Sequence, residues 1–245
     1  MSGERRGILE PTVFAIVGIA ILIGLGVWQL DRKTWKENLI AAMTERLARA
    51  PADLPPRDRW AGLDRQREEF ARVGFPAEFL PGQEALVFSA GSAFRPDVKG
   101  PGYFVFAPAR LAGGSIVIVN RGFVPLDRND PATRIDRANG SVDIVGIVRW
   151  PETRGLFTPA DDPAGNVWYL RDTAAIAAAK HWQSAAPFYV EQESPAPSGG
   201  LPQPGKLVVN LPDNHLQYAI TWFGLALALA GVYLAWLTRR LRRQY

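Results

Sequence analysis

The stretch PTVFAIVGIAILIGLGVWQL, residues 11–30, contains no charged residue and decides the architecture of the chain. In a helix, these twenty mostly apolar residues span the roughly 30 Å of hydrocarbon in a bilayer. A second charge-free stretch, LQYAITWFGLALALAGVYLAWL, covers residues 216–237. We therefore predict two transmembrane helices, at residues 11–30 and at residues 215–237.

The first apolar stretch could instead belong to a cleaved signal peptide, since Arg5 and Arg6 resemble the basic start of such a peptide. The stretch is longer than the usual apolar region of a signal peptide, and no small-residue cleavage site follows it. We therefore expect an anchor that the mature protein keeps.

Basic residues beyond the two stretches predict how the chain crosses the membrane. They are Arg5 and Arg6 before the first stretch and Arg239, Arg240, Arg242 and Arg243 after the second. Because basic flanks stay in the cytoplasm, residues 1–10 and 238–245 are expected there. Residues 31–214 then lie in a periplasm or an intermembrane space. No Arg-rich and Ser-rich transit peptide precedes the first stretch, which favours a bacterial inner membrane.

Composition excludes several classes of function. The net charge of +4 could indicate a nucleic-acid partner. Residues 31–214 contain equal numbers of basic and acidic residues, so the excess lies beside the apolar stretches. We therefore expect a membrane protein with no nucleic-acid partner. The absence of cysteine excludes disulfide bonds, thiolate metal ligands and cysteine nucleophiles.

The region between the two apolar stretches changes from a helical to a strand-like pattern. A helix is expected to continue over residues 33–50, and short helices are expected at residues 64–69 and 172–182. Segments rich in β-branched and aromatic residues, separated by Gly and Pro, predict strands. These segments are residues 70–79, 85–89, 103–107, 115–120, 142–150, 167–170, 187–190 and 207–210.

The expected fold is two transmembrane α-helices flanking a periplasmic α+β domain, mainly antiparallel β and barrel- or sandwich-like. Small residues at helical spacing predict that the two membrane helices touch. They are Gly224, Ala228 and Gly231 on the second helix and Ala20 and Gly24 on the first.

The sequence contains no convincing catalytic motif. His181 and His215 are the only histidines, and no G-x-S-x-G elbow or H-E-x-x-H zinc motif accompanies them. Gly24 and Gly26 lie inside the first apolar stretch, so they do not form a phosphate loop. We therefore expect a protein that is not an enzyme.

Polar and aromatic residues lie at the same membrane depth on the two predicted helices. They are Trp28, Gln29 and Arg32 on the first helix and Asn214, His215, Gln217 and Tyr218 on the second. His215, Tyr218 and Trp222 share one stripe of the second helix. Trp and Tyr commonly form a belt at the membrane surface, where Arg reaches the headgroups. The same residue types could hold a haem, with imidazole on the iron, aromatic walls and a cation for a propionate. The residue types alone leave both interpretations open.

Three segments resemble motifs of the Surfeit locus protein 1 family. They are GVWQLDR at residues 26–32, VNRGFVP at residues 119–125 and DNHLQYAITW at residues 213–222. A weaker motif is matched by Asn166, Trp168, Tyr169 and Asp172. The motifs follow one another in the family's order.

Two positions depart from the family's pattern. Phe123 stands where the family commonly has tryptophan, and Asp213 stands where it has asparagine. Phenylalanine keeps an aromatic side chain of comparable size at the first position, and aspartate keeps the polarity of asparagine at the second. Within the VNRGFVP segment, we expect a turn in which Asn120 caps backbone groups and Gly122 has an unusual φ. Arg121 either pairs with a carboxylate of the domain or contacts a partner or a haem propionate.

The resemblance implies an assembly factor for haem-copper cytochrome c oxidase. Such a factor supports the insertion of haem a into the catalytic subunit of the oxidase, and haem a synthase is a further expected partner. The resemblance implies His215 as a haem iron ligand. The residues expected around it are Trp28, Gln29, Arg32, Tyr218 and Trp222. The alternative is a protein-only scaffold that stabilises an assembly intermediate without haem, with Arg121 as its contact residue.

Overall fold

The computed structural model describes residues 2–92, 94–134, 140–209 and 212–242, with side chains from Ile8 onward. The chain divides into two compact units. One contains Met1–Ala41 and Leu211–Tyr245, and the other contains Ala42–Asn210. We describe each unit by itself.

The first unit is built on two long helices, α1 at Ser2–Ala48 and α4 at His215–Arg242. Both are long and apolar enough to cross a membrane. Only 17% of the most apolar window of α1 and 6% of that of α4 are buried. A core helix of a soluble protein buries its apolar side chains, so these helices have the exposure expected of lipid-facing helices. The predicted pair of long apolar helices around a β domain is confirmed.

The contact between α1 and α4 is formed by small residues that differ from the predicted ones. A Cβ placed on Gly26 would lie 2.5 Å from the Phe223 ring, and one on Gly18 would lie 3.0 Å from Leu229. Ala219 and Ala226 are buried on the same side of α4. Tyr233 and Thr12 share a hydrogen bond of 2.7 Å farther along the pair.

The predicted contact through Gly224, Ala228 and Gly231 is therefore wrong. Gly224, Gly231 and Gly24 have open space where a Cβ would lie, and Ala228 and Ala20 are exposed. Small residues occur on two sides of α4, and spacing alone does not say which side meets another helix. The bulky Phe223 lies over Gly26, which shows that one glycine opposite one ring is enough for close approach.

The second unit is a β domain whose described residues include five short helical segments. Its strands are β1 Ala52–Asp53, β2 Arg72–Phe79, β3 Ala85–Ser89, β4 Gly102–Arg110, β5 Ile116–Pro125, β6 Ser141–Arg149, β7 Val167–Trp168 and β8 Ala185–Ser194. Its helical segments are α2 at Arg65–Glu68, α3 at Thr173–Ala179 and 3₁₀ turns at Arg57–Gly62, Leu126–Arg128 and Pro131–Thr133. The predicted strand at 85–89 has the observed bounds. Residues 207–209 form no strand, contrary to prediction, and Asn210 lies outside the described residues.

Five of the strands close into a barrel in the order β2–β6–β8–β5–β4, and β4 pairs again with β2. Strand β3 extends the sheet beyond β4, and β7 adds to β3. The pairs are antiparallel except β1–β2, β3–β7 and β5–β8. The prediction of a mainly antiparallel, barrel-like domain is confirmed.

Apolar side chains form one core inside the barrel and another outside it. The inner core takes residues from all five barrel strands, including Phe75, Val119 and Phe188. The outer core lies between β3, β4, β5 and β8 and the helix α3, with Phe106 and Tyr189 at its centre. Burial on both sides of these strands explains why β4 and β5 are almost continuously apolar.

An ionic cluster is buried beside the outer core. The Arg149 guanidinium lies 4.5 Å from the Phe70 ring, with Nη1 3.6 Å from Glu191 and Nε 3.5 Å from Glu69. The Tyr189 hydroxyl donates to Glu191 Oε1 at 3.4 Å. Burial raises the pKa of Tyr189 above its usual range, and the nearby Glu191 charge adds to the increase.

Residues 120–122 form a β-bulge inside β5, where a turn was predicted. Phe104 pairs with Phe123 and Phe106 pairs with Asn120, so two residues of β5 oppose one residue of β4. The Gly122 backbone N–H donates to Asn120 Oδ1 at 3.1 Å, and Gly122 has φ +123°. The predicted cap and unusual φ are therefore confirmed, but within a continuing strand.

Candidate functional site

The start of α4 is fixed by an Asx turn. The His215 backbone N–H donates to Asp213 Oδ1 at 2.9 Å, and the first helical hydrogen bond runs from Tyr218 N–H to Asn214 C=O at 3.1 Å. Asp and Asn side chains stabilise such turns because they reach backbone groups two residues ahead. The segment DNH therefore sets where α4 begins and places His215 in its first turn. The sequence analysis missed this role of Asp213.

A hydrogen bond joins His215 to α1. His215 Nδ1 lies 2.8 Å from Gln29 Oε1. An amide oxygen only accepts, so this contact requires the imidazole proton on Nδ1. The neutral ring then carries its lone pair on Nε2, which is the arrangement that a histidine needs to bind a metal.

A second contact fixes the same end of the helix pair. Lys36 lies one helical turn beyond Arg32 on α1. Its ammonium group donates to the Pro212 carbonyl. With the Gln29–His215 bond, it ties α1 to both sides of the Asx turn. The imidazole is therefore held by contacts before and within the first turn of α4.

The other predicted site residues lie near these helix ends but differ in their surroundings. Trp28 and Tyr218 are more than half exposed, and Trp222 is half-buried. The Arg32 guanidinium stacks 3.9 Å from the Trp35 ring. Within residues 8–92, 94–134, 140–209 and 212–242, no hydrogen bond joins Trp28, Arg32 or Tyr218 to the His215 ring.

These residues fit a haem better than they fit a bare metal ion. The described part of the chain has no cluster of three His, Asp or Glu side chains that could hold an ion. A haem brings its own four nitrogen ligands and needs a single imidazole from the protein. The oriented His215 ring supplies that donor, and the exposed rings of Trp28 and Tyr218 offer flat apolar surfaces.

Arg121 lies in the β domain, near the end of the barrel interior. It is 7% exposed, and its guanidinium lies 4.2 Å from the centre of the Phe79 ring. It lines a cavity of about 270 Å³ together with the Arg134–Glu84 ion pair. Such burial leaves little of Arg121 for a partner surface, and its role in partner binding stays a prediction.

The two helices long and apolar enough to cross a membrane and the β-barrel domain define a class of candidate two-span membrane proteins. A sequence model described as the SURF1 family matches residues 16–227, and this chain belongs to that family. It is 34% identical over 225 residues to a SURF1-like protein of Monosiga brevicollis, covering 87% of this chain and 82% of that protein.

Animal relatives show a similar likeness. Surfeit locus protein 1 of Rattus norvegicus is 32% identical over 232 residues, covering 90% of this chain and 74% of the relative. Surfeit locus protein 1 of Homo sapiens is 32% identical over 218 residues, covering 84% and 70%. The resemblance first seen in three segments therefore extends over most of the chain.

Proposed function

We propose that this protein is an assembly factor for haem-copper cytochrome c oxidase that supports insertion of haem a into the catalytic subunit. Membership of the SURF1 family supports a role in oxidase assembly. The observation that carries haem binding is the 2.8 Å contact between His215 Nδ1 and Gln29 Oε1. It leaves Nε2 as the iron-binding nitrogen and fixes the ring.

The residues at the helix ends have separate roles in this proposal. His215 binds the iron through Nε2, while Gln29 holds the ring through Nδ1. Trp28, Tyr218 and Trp222 contact the macrocycle. When bound, haem a would supply an iron that takes the imidazole nitrogen of His215. Arg32, stacked on Trp35, would meet a propionate with the N–H groups at its edge.

The site holds and releases haem, and it carries out no reaction. It offers one iron ligand from this chain and is open enough to leave Trp28 and Tyr218 exposed. Both features suit a transient carrier that passes haem a to the oxidase catalytic subunit. Haem a synthase is the proposed donor.

The proposed location is a bacterial inner membrane, with both termini in the cytoplasm and the β domain in the periplasm. The lengths and compositions of α1 and α4 support the two crossings. Basic residues outside the apolar stretches support the orientation. The helix ends that carry Gln29 and His215 then lie at the periplasmic surface, where a flat, apolar and anionic ligand is best accommodated.

An absorption spectrum of the full-length protein tests haem binding. The protein is purified in detergent from cells that also make haem a synthase, in parallel with His215→Ala. The other histidine gives a matched control, His181→Ala, since His181 is exposed in the β domain. We expect a haem a band in the native protein and in His181→Ala, and its loss in His215→Ala. A colourless native protein from cells rich in haem a would overturn haem carriage and favour the protein-only scaffold.

A further inference from the structure

The β domain presents two apolar side chains almost completely to solvent. Leu156 and Phe157 are 98% and 97% exposed, in the segment between β6 and β7. The next most exposed large apolar side chain that the structure describes in this domain is Val208, at 48%. Single exposed apolar residues are common, but two adjacent ones with this exposure mark a contact surface.

The turn that carries these side chains is held in shape by its own hydrogen bonds. Thr158 N–H donates to the Gly155 carbonyl at 3.2 Å, and Gly155 N–H donates to Thr158 Oγ1 at 3.1 Å. Arg154 donates to the Pro159 carbonyl and to the Asp161 carboxylate below the turn. We call Leu156 and Phe157 the tip of this turn. Because the turn is already ordered, binding through the tip loses little conformational entropy.

The exposure of the tip resembles that of the membrane helices. Elsewhere in the described residues, large apolar side chains exceed 70% exposure only at Phe14 on α1 and Leu227 on α4. Phe14 and Leu227 lie on helices suited to cross a membrane. In a membrane, lipid would cover these side chains and remove their apolar surface from water. The segment Gly155–Thr158 contains no charged residue, and the adjoining Arg154 pairs with Asp161, so the turn itself brings no charge to a bilayer.

Lipid is also a partner that the proposed membrane crossings would keep near the β domain. The β domain continues at its two ends into α1 and α4, which tie it to the same bilayer. Tethering raises the effective concentration of the membrane surface around the domain. A contact that would be weak for a free domain therefore becomes significant for an anchored one.

We propose that the Gly155–Thr158 turn inserts Leu156 and Phe157 into the bilayer surface as a third membrane contact. The proposal rests on the membrane crossings given under the proposed function, and it is independent of haem binding. It fixes the orientation of the β domain against the membrane plane.

Lipid-borne quenchers test this contact in the full-length protein. The chain contains no cysteine, so Ala160→Cys places a single fluorophore beside the tip without changing it. The labelled protein is placed in phosphatidylcholine and phosphatidylglycerol nanodiscs with and without nitroxide-bearing lipid. Gly113→Cys, in the exposed loop between β4 and β5, gives a reference site elsewhere on the β domain. Leu227→Cys on α4 gives a lipid reference.

We expect nitroxide lipid to quench the label at residue 160 severalfold more than the label at residue 113. The double change Leu156→Ser with Phe157→Ser should reduce this quenching to the level at residue 113. Near-ultraviolet circular dichroism checks that the domain stays folded. If residue 227 is quenched but residue 160 is not, the membrane contact is wrong and the tip is left for a protein partner. If the label at residue 227 is not quenched, the proposed membrane crossings are wrong, and the proposed contact of the turn is wrong with them.

Discussion

The Gln29–His215 hydrogen bond is the single contact on which the proposed haem binding depends most. We predict that Gln29→Leu lowers haem a affinity by about 10–100-fold, as loss of a partner behind a ligating histidine usually does. Leu keeps the side chain's size but accepts no hydrogen bond from the Nδ1–H group, so the ring loses the contact that fixes its tautomer. Haem titration of the purified protein, followed by absorbance, measures the change.

Gln217→Leu is the matched control for this prediction. Gln217 is exposed on α4, and the side chain has no described contact with His215. The control should bind haem as the native protein does. Equal affinity in Gln29→Leu and the native protein would show that Gln29 does not position the ligand.

Gly122 is needed for the bulge in β5 for two reasons. Its φ of +123° disfavours a side chain, and a Cβ there would collide with the Gln203 carbonyl oxygen. We predict that Gly122→Ala lowers the free energy of unfolding by more than the roughly 1–2 kcal/mol of a left-handed residue alone. Gly113→Ala, where a Cβ meets open space, should change little. Denaturant unfolding of both variants in detergent measures the difference.

Tyr189 makes the β domain sensitive to alkali. Burial raises the pKa of its phenol, so the folded chain keeps the proton after the unfolded chain has lost it. This contribution to stability is complete below the unfolded pKa of about 10 and declines as pH rises toward the folded pKa. We predict that Tyr189→Phe flattens the loss of stability above about pH 10. Unfolding curves across this pH range test it, and parallel slopes in both proteins would contradict it.

Sequence and structure agree best for residues whose chemistry acts locally. Asn120 and Gly122 were predicted to cap and to adopt an unusual φ, and both do so because Asx contacts and glycine geometry need only two or three neighbouring residues. The sequence also placed Gln29 and His215 at one membrane depth. It could not show their direct bond, because that depends on how each helix is rotated about its axis.

At the scale of elements, helix rotation is set by contacts that spacing does not reveal. We predict that Gly26→Ala disturbs the α1–α4 pair, because the new Cβ would lie 2.5 Å from the Phe223 ring. Gly24→Ala should be tolerated, since open space surrounds that position. A pair of cysteines replacing Gly18 and Leu229, which face each other across the two helices, reports the pairing through disulfide cross-linking in detergent. Equal cross-linking in both glycine variants would show that this close approach is not required.

The strands were recognisable from composition, while their arrangement was not. Residues 85–89 were predicted with the observed bounds because a short β-branched and aromatic run is flanked by breaks. The predicted strand at 115–120 extends to Pro125 in β5, since the bulge lets Arg121 and Gly122 remain in a strand. Barrel closure through a second pairing of β4 with β2 depends on long-range register, which residue types do not encode.

For the whole molecule, the proposed orientation follows from charge at the ends of the apolar helices. In that proposal, the arginines in the last turn of α4 hold that end in the cytoplasm, and an even number of crossings brings the other end to the same side. The β domain would then lie on the opposite side. This placement is needed for the proposed haem site, since it puts Gln29 and His215 at the periplasmic surface.

Because the chain lacks cysteine, two single-cysteine variants test this orientation directly. We predict that a membrane-impermeant maleimide labels Gly113→Cys in intact spheroplasts, because the exposed loop between β4 and β5 faces the outside. Thr238→Cys, exposed near the end of α4, should react only after lysis, because four arginines follow or adjoin it in the cytoplasm. Labelling of Thr238→Cys before lysis would show that the protein has the opposite orientation in the membrane. His215 would then face the cytoplasm, and haem transfer would have to occur on that side of the membrane.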